Sequence, residues 1–271
     1  MKLSNIFSRR NRILLRELVV TDFKLRYQGS ILGYLWSLLK PLLLFTILYF
    51  VFVRFLKFGE GIEHFEVSLL LGIVMWTFFT EATGQGMQAI VGRGDLIRKI
   101  NFPKYIIVIS GTISALINLV LNLLVVLMFI VINGVDIKWS ILLLPLNILE
   151  LYVFALAIAF ALAAVYVKYR DVTHIWEVFL QGLFYATPIL YPISMVIDNA
   201  SLEIAKVLMV NPIAQIIQDA RYNAISHDTV TVAGFINNPL IVAVPYLIVG
   251  VAIVFAVVYF KRNQRYFAEN V

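Results

Sequence analysis

The sequence has 271 residues, of which 61% are hydrophobic and 14% are charged, with no cysteine and a formal net charge of +6. Soluble domains carry about 25% charged residues, so this composition excludes an ordinary soluble globular protein. The lack of cysteine excludes disulfides and thiolate metal sites. In a membrane protein, an excess of basic residues first reports orientation rather than contact with nucleic acid.

Apolar runs of about 20 residues recur along the chain, which is the length that an α-helix needs to cross a bilayer core of about 30 Å. A membrane barrel would show alternating segments of about ten residues instead. We therefore predict an all-α integral membrane protein with six transmembrane helices, built as one transmembrane domain over residues 1–271. The predicted spans are 34–53, 66–91, 105–132, 139–167, 175–191 and 240–260.

Residues 11–25, NRILLRELVVTDFKL, precede the first span and repeat apolar residues at helical spacing, with basic residues among them. That pattern is typical of a helix that lies in the membrane interface with its basic groups toward anionic headgroups. We predict an N-terminal interfacial helix here. A simple membrane anchor is the alternative.

An even number of spans places both termini on one side of the membrane, and the basic residues indicate which side. The positive-inside rule assigns the basic side to the cytoplasm, so we predict a multi-pass protein of the inner or plasma membrane with both termini cytoplasmic. Segments on the side of the N-terminus carry 17 basic residues, and those on the other side carry 5. The first group is Lys2, Arg9, Arg10, Arg12, Arg16, Lys24, Arg26, Lys40, Arg93, Arg98, Lys99, Lys104, Lys168, Arg170, Lys261, Arg262 and Arg265, and the second is Arg54, Lys57, Lys138, Lys206 and Arg221.

Residues 92–104, GRGDLIRKINFPK, join the second and third spans on the predicted cytoplasmic side. Asp95 is of a type favoured at the N-cap, and we expect it to begin a short helix that ends at Asn101. Leu96, Ile97 and Ile100 share one face of that helix. A helix this short is not stable alone, so it packs either on its own bundle or on a partner, and the residues leave both open.

Two later segments also lie outside the spans. Residues 167–177 place Lys168, Arg170 and Asp171 in a short cytoplasmic loop. Residues 192–239 form a longer external segment with helical patterns near 200–209 and 213–225. The prolines of TPILYP, residues 187–192, predict a bend before this segment. Non-helical backbone at membrane depth must be buried or line a cavity. Short re-entrant helices and an ordinary surface loop both fit.

Polar and aromatic residues inside the spans allow two interpretations each. Glu81 and Glu150 lie well inside spans, where they serve either as a proton relay or, as we favour, in hydrogen bonds between helices. Aromatic residues near the outer ends of spans one and five form either a lipid-facing belt or a conduit for a sugar-bearing substrate. They are Phe45, Tyr49, Phe52, Phe184, Tyr185 and Tyr191. No P-loop motif occurs, so any ATP must be bound by another subunit.

Four stretches in order give the chain a resemblance to a known family: DFKLRYQGSILGYLWSLLKPL, LIRKINFPKYI, YRDVTHIWEVFLQGLFYATPILYP and NPIAQIIQDAR. Together they resemble the permease subunit of ABC-2-type exporters of cell-surface polysaccharides, which include teichoic-acid, O-antigen and capsule exporters. The resemblance implies a homodimer paired with two copies of a cytoplasmic P-loop ATPase. ATP and Mg are then bound by that ATPase, and this chain holds no cofactor, metal or catalytic site of its own.

The resemblance also assigns roles to residues. It implies a coupling helix at 95–102 that sits in the ATPase, a second contact near 168–175, re-entrant helices within 192–224, and aromatic side chains that stack on sugars. The implied ATPase-coupling residues are Asp95, Leu96, Ile97, Arg98, Lys99, Ile100, Asn101, Phe102, Arg170 and Asp171. Basic residues that could meet the diphosphate of an undecaprenyl-type lipid carrier are Arg12, Arg16, Lys24, Arg26 and Lys40.

These observations predict an ATP-driven exporter or flippase that moves a lipid-linked cell-surface polymer outward. Teichoic acid is the first choice of cargo, and O-antigen or capsular polysaccharide is the second. Within the same family, the alternative is a permease for lipids or drugs. From other classes, the alternatives are a proton-coupled secondary carrier that uses Glu81 and Glu150, and a non-transporting membrane scaffold.

Overall fold

The protein is described here by a computed structural model that covers residues 8–27, 29–100 and 102–267, without the side chains of Phe23, Arg26 and Tyr27. Over these ranges the chain is helical and contains no strand. Its α-helices are α1 (Arg9–Tyr27), α2 (Trp36–Leu48), α3 (Phe65–Ala89), α4 (Gly94–Lys99), α5 (Tyr105–Ile132), α6 (Leu144–Tyr166), α7 (Val172–Tyr185), α8 (Ile193–Asn199), α9 (Leu202–Met209), α10 (Pro212–Ala224), α11 (Val232–Phe235) and α12 (Pro239–Asn263). The predicted all-α fold is confirmed.

Five helical stretches are long and apolar enough to cross a membrane, so the chain is a multi-pass membrane protein. Each stretch begins within two residues of the start of a predicted span, and the third predicted span has the same bounds as α5. Apolar runs define these helices well because a bilayer core admits few other structures. The stretches are Gly33–Phe55, Phe65–Ala89, Tyr105–Ile132, Trp139–Tyr166 and Pro239–Tyr266.

The predicted span 175–191 is wrong in its bounds. The helix there, α7, has 14 residues and ends at Tyr185, which gives it a length of about 21 Å at 1.5 Å per residue. Residues 186–192 then continue as turns and bends. Pro188 and Pro192 lack the N–H groups that would extend the helix. The described chain therefore does not confirm a count of six spans.

The first span is a composite of three helical pieces. Gly33–Leu35 is a 3-10 turn, α2 follows, and Tyr49–Phe55 continues as a π-helix. Pro41 lies inside α2 and cannot donate to the carbonyl of Ser37, four residues earlier. The Asn122 Nδ2 of α5 donates to that carbonyl oxygen at 3.0 Å instead. A side chain from a neighbouring helix thus replaces the hydrogen bond that the proline removes.

Helix α3 is the centre of the bundle and packs most extensively against α5 and α6. In its most apolar stretch, 78% of the residues are buried, against 11% for Gly33–Phe55. Small residues allow this close approach: a Cβ at Gly86 would lie 2.5 Å from the Cβ of Ala159 in α6. A Cβ at Gly111 of α5 would lie 3.3 Å from the carbonyl oxygen of Gln85.

The bundle has two distinct ends. We call the end that carries α1, α4 and residues 167–171 the basic end, and the opposite end, which carries α8 to α11, the cap end. At the basic end, Leu14, Leu15 and Leu18 of α1 pack on the cluster that contains the start of α5. Helix α1 extends two residues beyond the predicted 11–25 at each end.

Candidate functional site

The segment predicted to contact an ATPase forms a short helix at the basic end, but its details differ from the prediction. Helix α4 spans Gly94–Lys99, and Arg93 occupies the N-cap position without a side-chain cap bond. The prediction that Asp95 caps a helix over Leu96–Asn101 is therefore wrong. Asp95 stands in the first turn, where an acidic side chain favours the helix dipole, and its Oδ1 lies 3.9 Å from Arg98 Nη2.

The predicted apolar face of this segment is divided between the bundle and the surface. Ile97 is 6% exposed and Phe102 is 9% exposed, and both join a cluster with residues of α5 and α6. Ile100 is 45% exposed, because the chain leaves helical geometry at that residue. Arg98 and Lys99 are also exposed, whereas Asn101 lies outside the described residues. Leu96 is partly buried against the same cluster. The segment is thus anchored by three residues and presents a mixed apolar and charged surface.

Arg93 joins α1 to the start of residues 92–104, which we call the coupling segment after its predicted role. Its guanidinium donates to the Asp22 carboxylate of α1 and, at 3.0 Å, to Ser110 Oγ of α5. Both members of the ion pair are largely buried, with exposed side-chain fractions of 18% and 25%. A partly buried charge pair of this kind is stronger than a surface pair. It ties α1 to the turn that precedes α4.

The second predicted contact lies at the same end of the bundle. Val167 belongs to the cluster that also contains Ile97 and Phe102, so the two segments are held by one hydrophobic core. Arg170 and Asp171 are both exposed, and the Arg170 guanidinium carbon lies 5.2 Å from the centre of the Tyr166 ring. The structure therefore places the two segments at the same end of the bundle.

The basic residues predicted to meet a diphosphate separate into two places. Arg12, Arg16 and Lys24 are exposed on α1, on the side away from its packed leucines. Lys40 is exposed on α2 and lines a cavity between α2, α3 and α5. The side chain of Arg26 lies outside the described part of the chain.

The aromatic residues of the first span contact one another and the core. Phe45 is 7% exposed, with its ring 5.8 Å from those of Tyr49 and Phe129. Arg54 Nε donates to Tyr49 Oη at 2.9 Å, and Phe52 lies 5.4 Å from Phe58. The burial of Phe45 favours a packing role over contact with a substrate.

The aromatic residues at the end of α7 and in the bend that follows it form a second group. The Phe184 ring lies 5.5 Å from both Trp76 and Tyr185. Tyr191 Oη donates to the carbonyl oxygen of Tyr185 at 2.8 Å, while the Tyr185 side chain is 66% exposed. Of the six aromatic residues, Tyr185 thus offers the ring with the largest free surface.

The two acidic residues inside the spans contact amide side chains on other helices. Asn118 Nδ2 of α5 donates to Glu81 Oε2 at 3.1 Å. Glu150 lies within reach of the Gln215 side chain of α10, whose Nε2 donates to Asp219 Oδ2 at 2.7 Å. Both arrangements fit hydrogen bonding between helices, the interpretation that we favour from the sequence.

A buried arginine holds the cap end together. From the sequence, this residue is predicted only as one of the basic residues on the outer side. Arg221 of α10 is 3% exposed. Its Nε donates to the carbonyl oxygen of Ser68 at 3.0 Å, its Nη1 to that of Pro188 at 2.7 Å, and its Nη2 to that of Ile189 at 3.0 Å. Burial lowers the pKa of the guanidinium to about 10, so it keeps its charge at neutral pH.

The partners of Arg221 follow from the backbone around it. In a continuous helix, the carbonyl of Pro188 would accept from the N–H of residue 192, and Pro192 has none. Gly72 makes room on α3, because a Cβ there would lie 2.7 Å from Arg221 Nη2. Proline spacing within 187–192 signals the free carbonyl, but nothing local in the sequence indicates that Arg221 reaches it.

Comparisons with known proteins support the architecture. Residues 13–225 match the family described as ABC-2 type transporter. The chain is 34% identical over 220 residues to the O-antigen export system permease protein RfbA of Myxococcus xanthus. The aligned region covers 80% of this chain and 81% of the relative. Two proteins of the same name from Klebsiella pneumoniae are each 26% identical over 200 residues, covering 72% of this chain and 74% of theirs.

The matched region contains α2 to α10 and therefore both the coupling segment at the basic end and the Arg221 network at the cap end. The four stretches that carry the resemblance in the sequence lie inside it. The family prediction is confirmed: this chain belongs to the ABC-2 type transporter family.

Proposed function

We propose that this chain is the transmembrane permease of an ATP-driven exporter that moves a lipid-linked cell-surface polysaccharide outward. The observation that carries the proposal is the similarity over four-fifths of the chain to a permease named for O-antigen export. That similarity favours O-antigen, the second choice from the sequence, and lends no support to teichoic acid. Capsular polysaccharide and a lipid or drug cargo remain alternatives within the family.

The cargo is tested by deleting the gene in its host and following the polymer. We expect surface polysaccharide to disappear while its lipid-linked precursor accumulates inside the cell, because synthesis continues when export stops. Immunoblots of surface polysaccharide and extraction of lipid-linked glycan measure the two pools. Normal surface polysaccharide together with loss of a polyol-phosphate polymer would return teichoic acid to first place.

The basic end is the proposed docking surface for a separate ATPase. Ile100, Arg98 and Lys99 are exposed at this end, as are Arg170 and Asp171, and Ile97 and Phe102 fix the segment on the bundle. An exposed isoleucine between charged groups resembles the apolar centre and polar rim of a protein interface. The ATPase would bind ATP and Mg, in two copies for a permease homodimer. The charge asymmetry between the ends supports an inner-membrane location with this end in the cytoplasm.

The docking proposal is tested with Ile100→Asp. Because Ile100 contributes to the surface and not to the core, we expect the variant to fold and to recover about tenfold less ATPase on co-purification, as for loss of a central interface residue. Ile62→Asp is the matched control, since Ile62 is 39% exposed in the loop between residues 56 and 64 at the cap end. Equal ATPase recovery with Ile100→Asp and wild type would contradict the assignment.

The path of the polymer is the least constrained part of the proposal. The exposed ring of Tyr185 supports a sugar-stacking role near the cap end, whereas Phe45 and Phe184 are packed in the protein. Exposed basic residues on α1, together with Lys40, are the groups that could attract a diphosphate at the basic end. The contacts of Glu81 and Glu150 with amides favour structural roles over a proton-coupled carrier, so Glu81→Gln should retain transport.

A further inference from the structure

A cavity of about 270 Å³ lies between α2, α3 and α5, and Lys40 is its one lining residue that the transport proposal also uses for a diphosphate. Glu81 is about 24 Å along α3 from its cap end, and Asn118 is about 21 Å along α5 from its cap end, at 1.5 Å per residue. With a bilayer core of about 30 Å, the cavity belongs to the membrane half nearer the basic end. Its polar lining residues are Ser37, Lys40, Thr77, Glu81, Gln85, Asn118 and Asn122.

Of the four buried side-chain atoms without a hydrogen-bond partner among the described residues, one acceptor lies in this cavity. Asn122 Nδ2 is used by the carbonyl oxygen of Ser37, which Pro41 leaves free, and by that of Asn118. Asn118 Nδ2 donates to Glu81 Oε2 at 3.1 Å, which fixes the orientation of the amide. Asn118 is 4% exposed, and its Oδ1 has no hydrogen-bond partner in the described chain. A buried acceptor without a donor is costly, so the site favours an incoming donor.

The charges and surfaces around the cavity restrict the donor further. Lys40 and Glu81 line the same cavity, so it offers a cation and an anion to one ligand. Trp36, at the rim, is 46% exposed, as is typical of aromatic side chains at a membrane interface. Leu44 and Ile47 lie on the same face of α2 as Lys40, at i+4 and i+7, and both are exposed. They extend an apolar surface from the cavity toward the membrane centre.

We propose that this cavity binds the head group of a membrane phospholipid that carries a primary amine. The phosphate lies at Lys40, the ammonium donates to Asn118 Oδ1 and Glu81, and the acyl chains follow Leu44 and Ile47. An ammonium supplies three N–H donors and a positive charge, which matches the free acceptor and the carboxylate together. A choline head group has the same phosphate and charge but no N–H. The bound lipid is a permanent neighbour of α2 rather than the exported cargo.

The test compares lipid binding to the delipidated full-length chain by native mass spectrometry. Dioleoyl phosphatidylethanolamine and dioleoyl phosphatidylcholine are the matched probes. We expect wild type to bind the ethanolamine lipid about tenfold more tightly, which corresponds to about 1.4 kcal/mol. Asn118→Leu should abolish that preference and leave choline-lipid binding unchanged, because the acceptor for the ammonium N–H is lost while the phosphate site at Lys40 remains. Lys40→Gln should weaken both lipids to a similar degree, because both carry the phosphate.

Asn199→Leu, the same substitution at an exposed asparagine at the end of α8, is the control and should keep the preference. Equal binding of the two lipids to wild type, or a preference that survives in Asn118→Leu, would overturn the proposal. Should Asn118→Leu fail to fold, Lys40→Gln decides, since Lys40 is exposed, and unchanged binding of both lipids there refutes the site. A polyprenyl diphosphate-linked N-acetylglucosamine that displaces the ethanolamine lipid would assign the cavity to the cargo and also overturn it. The readout is binding alone, so it is independent of the exported polymer.

Discussion

Two arginines hold the two ends of this bundle, and they do so in opposite ways. Arg221 at the cap end is buried and donates to three backbone carbonyls that carry no charge. Arg93 at the basic end is paired with a carboxylate on α1, and that pair is still partly open to water. Backbone carbonyls cannot move without the helices that carry them, whereas a side-chain pair can separate. We therefore call the Arg221 contacts at the cap end the fixed joint. We call the Arg93 pair at the basic end, where the proposed ATPase surface lies, the adjustable joint.

The largest expected effect comes from removing the fixed joint. Arg221→Leu leaves the carbonyl oxygens of Ser68, Pro188 and Ile189 without these donors, so we expect a loss of at least about 3 kcal/mol in unfolding free energy. Thermal unfolding of the purified chain in detergent measures it. Arg98→Leu, at an exposed arginine of α4, is the control and should change stability by less than about 0.5 kcal/mol. Similar stability for the two variants would remove the distinction between the ends.

A smaller effect is expected when the space for the guanidinium is filled. Gly72→Ala places a Cβ 2.7 Å from Arg221 Nη2, and we expect it to cost about 1–3 kcal/mol through overpacking. Gly84→Ala is the control on the same helix, because a Cβ there meets no atom within 4 Å. It should be neutral or stabilise α3 by up to about 1 kcal/mol. The same thermal measurement separates them, and equal shifts would contradict the tight seat for Arg221.

The smallest effect on stability is expected at the adjustable joint. A double-mutant cycle with Asp22→Asn and Arg93→Gln should give a coupling energy of about 1–2 kcal/mol, within the range for contacting side chains. The coupling should decrease as salt rises, because the pair is partly exposed. Unfolding of the two single variants and the double variant, at low and high salt, provides the measurement. A coupling as large as the Arg221 effect and insensitive to salt would show that both ends are rigid.

Much of the fold follows from the sequence because membrane helices are specified by local composition. The bounds of α5 agree with the prediction since no charged residue interrupts its length and it begins two residues after Pro103. Helix α7 is shorter than predicted because two prolines matter more there than hydropathy. Likewise, Arg93 and not Asp95 occupies the N-cap of α4, because the glycine-containing turn 91–93 already sets the chain direction.

The contacts of the candidate site were harder to predict from the sequence. The exposed charges of the coupling segment could be identified from topology, but the division between Ile97 and Ile100 depends on where the helix ends. Arg221 was counted as an outer charge because its partners lie 33 and 153 residues away in sequence. Such contacts are set by tertiary packing, and no local periodicity reports them. The proline-freed carbonyl of Ser37, met by Asn122, has the same origin.

The bend at residues 187–192 has a consequence for how this protein can be altered. Pro192 creates a carbonyl without a donor, Arg221 supplies the donor, and Gly72 supplies the room for it. All three residues thus contribute to one buried contact. Among homologous sequences, we expect these positions to be inherited or replaced as a set. A chimera that exchanges the bend with that of another permease should fold only when the arginine and the glycine are transferred with it.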